Sequence, residues 1–138
     1  MLTRVLFALV LVVAPIPAWA EDAKVLALGL ADHEVTREEL DKGTALAAPR
    51  FNTPAIAYTS IANLKKGDVV EIMLVNNDRP LLHSTETLTE DQTKYLLQAG
   101  KRGVPAGGWP EGSYHAALTV TRDAKPLIEQ SSPPIPFD

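Results

Sequence analysis

Apolar and polar residues alternate most cleanly from Ser113 to Arg122. Tyr114, Ala116, Leu118 and Val120 fall on one side, and His115, Ala117, Thr119 and Thr121 on the other. A period of two with one apolar face marks a half-buried antiparallel β-strand. Val69–Val75 places Val70, Ile72 and Leu74 on one face and Val69, Glu71, Met73 and Val75 on the other. It is apolar nearly throughout, which predicts a central strand. Ala55–Leu64 reads as another strand, and Lys24–Leu30 as a first one extending to about Glu34. In Leu81–Leu88 the alternation weakens into Ser84, Thr85, Glu86 and Thr87, a composition suited to a sheet edge. Thr93–Ala99, with Tyr95 and Leu97 on one side, and Pro126–Gln130 complete about seven short strands.

The segments between them carry turn chemistry. Lys65-Lys66-Gly67-Asp68 predicts a hairpin between its two flanking strands. Asn76-Asn77-Asp78-Arg79-Pro80 offers side chains that bond local backbone and tolerate positive φ. Thr89-Glu90-Asp91 and Arg122-Asp123-Ala124-Lys125 read as further turns, and Gly100–Gly108 as the longest loop. Thr36-Arg37-Glu38-Glu39 has capping-box spacing. It predicts either one short helical turn ending near Gly43 or an irregular linker to Phe51. The proline-dense tail, Ser131–Asp138, reads as extended, polyproline-like and poorly ordered. Seven strands with turns every 8–12 residues predict an all-β antiparallel sandwich over residues 21–130.

The first 20 residues have a different character. Arg4 precedes an apolar run, Val5–Ala14, that is too short to span a bilayer. Pro15 and Pro17 interrupt it, and Ala18-Trp19-Ala20 fits a small-x-small cleavage site. The expectation is an exported protein cleaved after Ala20, leaving Glu21–Asp138 without stable membrane insertion. The formal net charge is −4, one unit more negative once Arg4 is removed. An acidic chain has no electrostatic reason to bind nucleic acid. The basic doublets Lys65-Lys66 and Lys101-Arg102 sit in expected turns. Cysteine is absent, which removes thiol catalysis and thiolate metal sites. With the leader, it points to a bacterial periplasm or cell exterior.

Few residues suggest chemistry. In Gly107-Gly108-Trp109-Pro110-Glu111-Gly112-Ser113-Tyr114, Trp109 supplies a large ring and Pro110 restricts the backbone. Gly112 permits a tight turn, and Tyr114 begins the best-patterned strand. The expected role is a structural corner, with the Tyr114 hydroxyl tied back to the backbone. The alternative is an exposed Trp109 that anchors a partner, with Lys101 and Arg102 nearby. His33, His83 and His115 lie on three expected strands without metal-ligand spacing, although Asp32, Glu34 and Met73 could contribute donors. Ser113 and His115 are two apart on one strand, but no Gly-x-Ser-x-Gly elbow accompanies them. Glu38-Glu39 and Glu90-Asp91 read as solvated turn carboxylates rather than a buried acid–base pair.

The stretch Ala55–Gln130 resembles small immunoglobulin-like domains of exported bacterial proteins. The likeness runs through Lys66-Gly67-Asp68, Trp109-Pro110, Gly112, Tyr114 and Arg122-Asp123. In such domains a Trp-Pro-x-Gly-x-Tyr corner leads into the last hairpin, whose turn reads Asp-Gly-Lys. Here Ala124 replaces that glycine, which predicts a different turn type. The resemblance implies an immunoglobulin-like sandwich and little about function, since many such domains serve as accessory and binding modules; the function expected here is a non-enzymatic binding or accessory module without a cofactor. Its partner would be another exported protein or a cell-envelope component, met at the Leu81–Leu88 edge or the Gly100–Trp109 loop. Two other readings stay open: a copper or zinc carrier using His33, His83 or His115 with Met73, and a small serine hydrolase using Ser113 and His115.

Overall fold

In the computed structural model, which describes residues 22–101 and 103–138, the chain is an antiparallel two-sheet β-sandwich. The elements are β1 (Lys24–Ala31), α1 (Arg37–Asp41), β2 (Ala55–Leu64), β3 (Val69–Asn76), β4 (Arg79–Thr87), β5 (Gln92–Lys101), β6 (Ser113–Arg122), β7 (Lys125–Ser131) and β8 (Ile135–Pro136). One sheet has the order β1-β2-β5. The other runs β4-β3-β6-β7, with β8 also pairing β6. The leader expected over residues 1–20 lies outside the described residues.

The alternating strands bury the faces expected of them. Val70, Ile72 and Leu74 of β3 pack with Tyr114, Ala116, Leu118 and Val120 of β6 and with Ala57, Ile61 and Leu64 of β2. β3 is central, flanked by β4 and β6. Nine side chains of this group have relative exposures of 0–1%, so the sandwich interior is closed to solvent. Each is worth about 1.5–3 kcal/mol of transfer free energy if aliphatic and of valine size or larger.

Four expectations change. β1 ends at Ala31, not Glu34, because the chain bends there into a connection across the sheet. Lys65–Asp68 is not a hairpin: β2 and β3 belong to different sheets, so this turn crosses the sandwich. The Asp68 carboxylate accepts the Lys65 N–H at 2.8 Å and closes the turn. The turn after β6 keeps the geometry expected of glycine: Asp123 has φ 52° and Ala124 φ 63°. Two central residues with positive φ are the hallmark of a type I′ hairpin turn.

The fourth change concerns the tail. It is extended, but it is paired. Ser132 N–H donates to Ala116 O at 2.9 Å, and the Ser132 hydroxyl accepts the Ala116 N–H at 2.8 Å. Beyond them β8 pairs Ile135 with Tyr114 and Pro136 with Ser113. The tail therefore continues the edge that β7 begins, along the rest of β6. It adds an eighth strand to the seven expected.

Of the two readings offered for Thr36–Glu39, the helical one is observed. Thr36 caps α1 by accepting the Glu39 N–H at 3.1 Å, and the Glu39 carboxylate returns to the Thr36 N–H at 3.0 Å. This is the reciprocal capping box. α1 sits in the 32–54 connection, which straps the outer face of the three-stranded sheet. The Gln98 side chain on β5 holds the strap by pairing with both backbone groups of Val35, at 2.7 and 2.8 Å. Lys94 adds an ion pair to Asp41 at 2.7 Å.

Candidate functional site

The corner is built around aromatic packing. Trp109 is 7% exposed, its indole N–H donates to Thr53 O at 2.8 Å, and its backbone N–H donates to Phe51 O at 2.9 Å. The Tyr114 hydroxyl donates to Pro110 O. Phe137 from the tail stacks on Tyr114 with centroids 3.7 Å apart, and meets Trp109 edge-on at 6.1 Å. Gly112 has φ 129°, and a Cβ there would sit 2.8 Å from the Asn77 amide. That amide accepts the Ser113 N–H at 3.1 Å, so glycine lets the corner close on the Asn77 turn.

The corner is thus a fold determinant, and burial removes Trp109 as an exposed anchor. The aromatic that faces solvent there is Phe51, 48% exposed. Its ring lies so close to Gly108 that a Cβ would come within 2.8 Å of it. Phe51 lies outside the alternating segments, so no periodic signal marked it for this role. Lys101 closes β5, where its backbone pairs with Ala55; Arg102 lies outside the described residues. Lys65 and Lys66 are exposed in their turn.

The structure separates the three histidines. His33 sits at the start of the strap, with Nδ1 2.8 Å from Asp32 and Nε2 2.7 Å from Glu39. Two carboxylates on the two ring nitrogens require two N–H donors, hence an imidazolium. These hydrogen bonds, to Asp32 first and then Glu39, raise the His33 pKa above the ordinary imidazole range. Glu39 is lowered by its Thr36 backbone hydrogen bond and by His33. Beside this clasp is an open cleft of about 330 Å³, lined by Asp32, His33, Glu34, Pro54 and Ile56.

His83 lies on the outer face of the other sheet, directly opposite Met73 in register, with Nδ1 3.7 Å from Glu71. His115 pairs with Val75 on the neighbouring strand. Among the described residues no three His, Asp or Glu side chains are grouped so as to hold a metal. Ser113 shares β6 with His115, and its backbone is engaged by Asn77. Glu38 pairs with Lys42, Glu39 belongs to the capping box, and Asp91 accepts the Lys66 N–H at 2.9 Å. Each of these carboxylates therefore has a local structural task.

The sheet edges distinguish themselves by register. Among the described residues five strands have a free side: β1, β4, β5, β7 and the two-residue β8, which continues the edge of β7. In β1 the register slips between Val25 and Ala27, leaving Leu26 unmatched. In β4 it slips opposite Leu74 and Val75, leaving Leu81 unmatched beside Pro80. In β7 it slips opposite Val120 and Thr121, leaving Leu127 unmatched beside Pro126. Bulges and prolines are the usual means of making an edge unfit for further pairing. β5 has neither: it pairs β2 from Gln92 to Lys101 without a register shift, although Thr93 is left without a partner opposite Asn63, which has φ 63°. No described backbone hydrogen bond other than those of the sheet reaches this strand.

Fold and site together define a two-sheet β-sandwich with one long edge, β5, that carries neither a bulge nor a proline. The chain matches no protein-family model, and no curated protein matches it.

Proposed function

We propose that this is a non-enzymatic, exported binding or accessory module of a bacterial cell envelope, and that it works by strand addition. The observation that supports it is the ten-residue β5 edge, which pairs without a register shift and lacks proline, whereas the other three edges are interrupted by unmatched leucines. An incoming extended chain gains main-chain hydrogen bonds along such an edge and specificity from alternate side chains. The Leu81–Leu88 edge expected for this role is a true edge but a bulged one, so the role moves to β5. The leader supports export, and its test is fractionation of cells producing the full chain. Placement of the binding site is tested by photo-crosslinkers at Thr93 on β5, Thr85 on β4 and Glu129 on β7. Adducts with an exported protein should form from Thr93. Adducts from Thr85 or Glu129 alone would sink the proposal.

A second reading has one observation in its favour. Met73 and His83 stand opposite each other on an exposed sheet face, a thioether and an imidazole suited to copper(I). Copper(I) titration against Met73→Leu and His83→Ala decides it: tight binding lost in both variants would favour a carrier.

A further inference from the structure

The edge that supports strand addition also has a residue order that suits one particular partner. We infer that β5 pairs antiparallel with β5 of a second copy, joining two three-stranded sheets into one of six. This rests on the reading of β5 as the binding edge and names its occupant.

Two identical strands pairing antiparallel about a two-fold axis form an isologous contact, in which each residue must suit its symmetry mate's neighbour. Opposed residues in an antiparallel pair lie on the same face. With the axis at Leu96, Leu96 faces itself, Tyr95 faces Leu97, Lys94 faces Gln98, Thr93 faces Ala99 and Gln92 faces Gly100. No like charges are opposed, and both faces gain apolar pairs, the kind of cross-strand contact that stabilises sheets. Lys94 is the charged residue within the strand's span before its terminal Lys101, and it already pairs with Asp41.

The two faces of β5 also need what a second copy brings. Tyr95 and Leu97 point to the interior, and Tyr95 stays half-buried at the rim of the core. A partner's Leu97 beside it would complete that rim. On the outer face Leu96 is half-buried next to the strap, and its symmetry mate would cover the remainder. A foreign peptide would have to bring this same alternation, whereas the second copy carries it already.

Sedimentation of the purified protein across micromolar to millimolar concentrations, with amide hydrogen exchange at both ends, tests this. The expected result is a concentration-dependent dimer in which β5 amides gain protection on association. Leu96→Lys sets two ammonium groups face to face and should weaken association by about a hundredfold or more. Thr93→Lys, at an exposed position opposite Ala99, serves if Leu96→Lys fails to fold, and should also weaken the dimer. A monomer at every concentration, with β5 amides unprotected, would overturn self-pairing while leaving the edge open to a foreign strand. A dimer unchanged by either variant and protected along another edge would overturn both readings.

Discussion

Ala124 occupies a conformation that costs an L-residue about 1 kcal/mol or more and glycine almost nothing. It keeps φ at 63° because Asp123, at 52°, and the flanking strands impose a type I′ turn. Ala124→Gly should therefore raise stability by about 0.5–1 kcal/mol in urea unfolding, the relief of strain exceeding the extra freedom of the unfolded chain. The turn was legible in the chain, but its type was not: local preference pointed away from positive φ, and strand twist overrode it.

At the corner, Tyr114→Phe removes one buried hydrogen bond to Pro110 and should cost about 1 kcal/mol. Trp109→Ala also opens a cavity and should cost about 3–5 kcal/mol in the same assay. A change near zero at Trp109 would contradict its place in the core. His33 makes a different kind of prediction. Its folded pKa lies above the unfolded value, so the clasp contributes fully below the ordinary imidazole pKa and is lost as pH rises through the raised one. Glu39 is shifted down, so its contribution is present above the ordinary carboxylate pKa and lost as pH falls through the lowered one. Proton NMR should find His33 titrating above a free imidazole, and Glu39→Gln should bring it back down. An unshifted His33 in the parent would contradict the clasp.

Among the elements, the tail shows how far a composition-based reading reaches. Three prolines in Ser131–Asp138 rule out a helix and suit an extended chain. They do not determine whether that chain finds a neighbour. It does, because β7 pairs with only part of β6 and leaves Ser113–Ala116 to be covered by Ser132, Ile135 and Pro136. Phe137 then reaches the corner and stacks on Tyr114. Phe137→Ala should cost about 2–4 kcal/mol and expose Trp109 to quenchers of its fluorescence. Unchanged melting and quenching would mean that the tail is dispensable.

Apart from the end of β1 and the paired tail, the strands were legible to within a residue or two: Ala55–Leu64 and Ser113–Arg122 have the observed bounds. Alternation reports burial of one face, and burial of one face is what makes a strand. The unmatched leucines Leu26, Leu81 and Leu127 were not legible, because a bulge is a property of two strands in register, not of one. Their consequence, that β5 alone of the four edges is free of a register shift, was hidden for the same reason.

For the whole molecule, one ion pair ties the crossing turn to the far end of β6. Arg122 donates two hydrogen bonds at 2.8 Å to Asp68, whose side chain is 1% exposed. Arg122 and the Lys65 N–H overcome the burial that opposes ionisation and hold the Asp68 pKa below the usual carboxylate range. Its contribution is therefore present above the unfolded pKa and disappears as acid takes the pH through the folded one. Asp68→Asn leaves Arg122 without its anion and should cost about 3–5 kcal/mol near neutral pH. Urea unfolding across pH should show that difference shrinking in acid, and a pH-independent difference would mean that the ionised pair is not what stabilises the turn.

The order of residues by itself determined the strands, their inward faces, the capping box and the aromatic corner, since each depends on neighbours a few positions away. Tertiary structure alone decided which sheet each strand joins, where the registers slip, that the tail closes the edge of β6, and that Asp68 meets Arg122. Those features join residues far apart in the chain. Their free energies come from packing and pairing that exist only once both partners are in place.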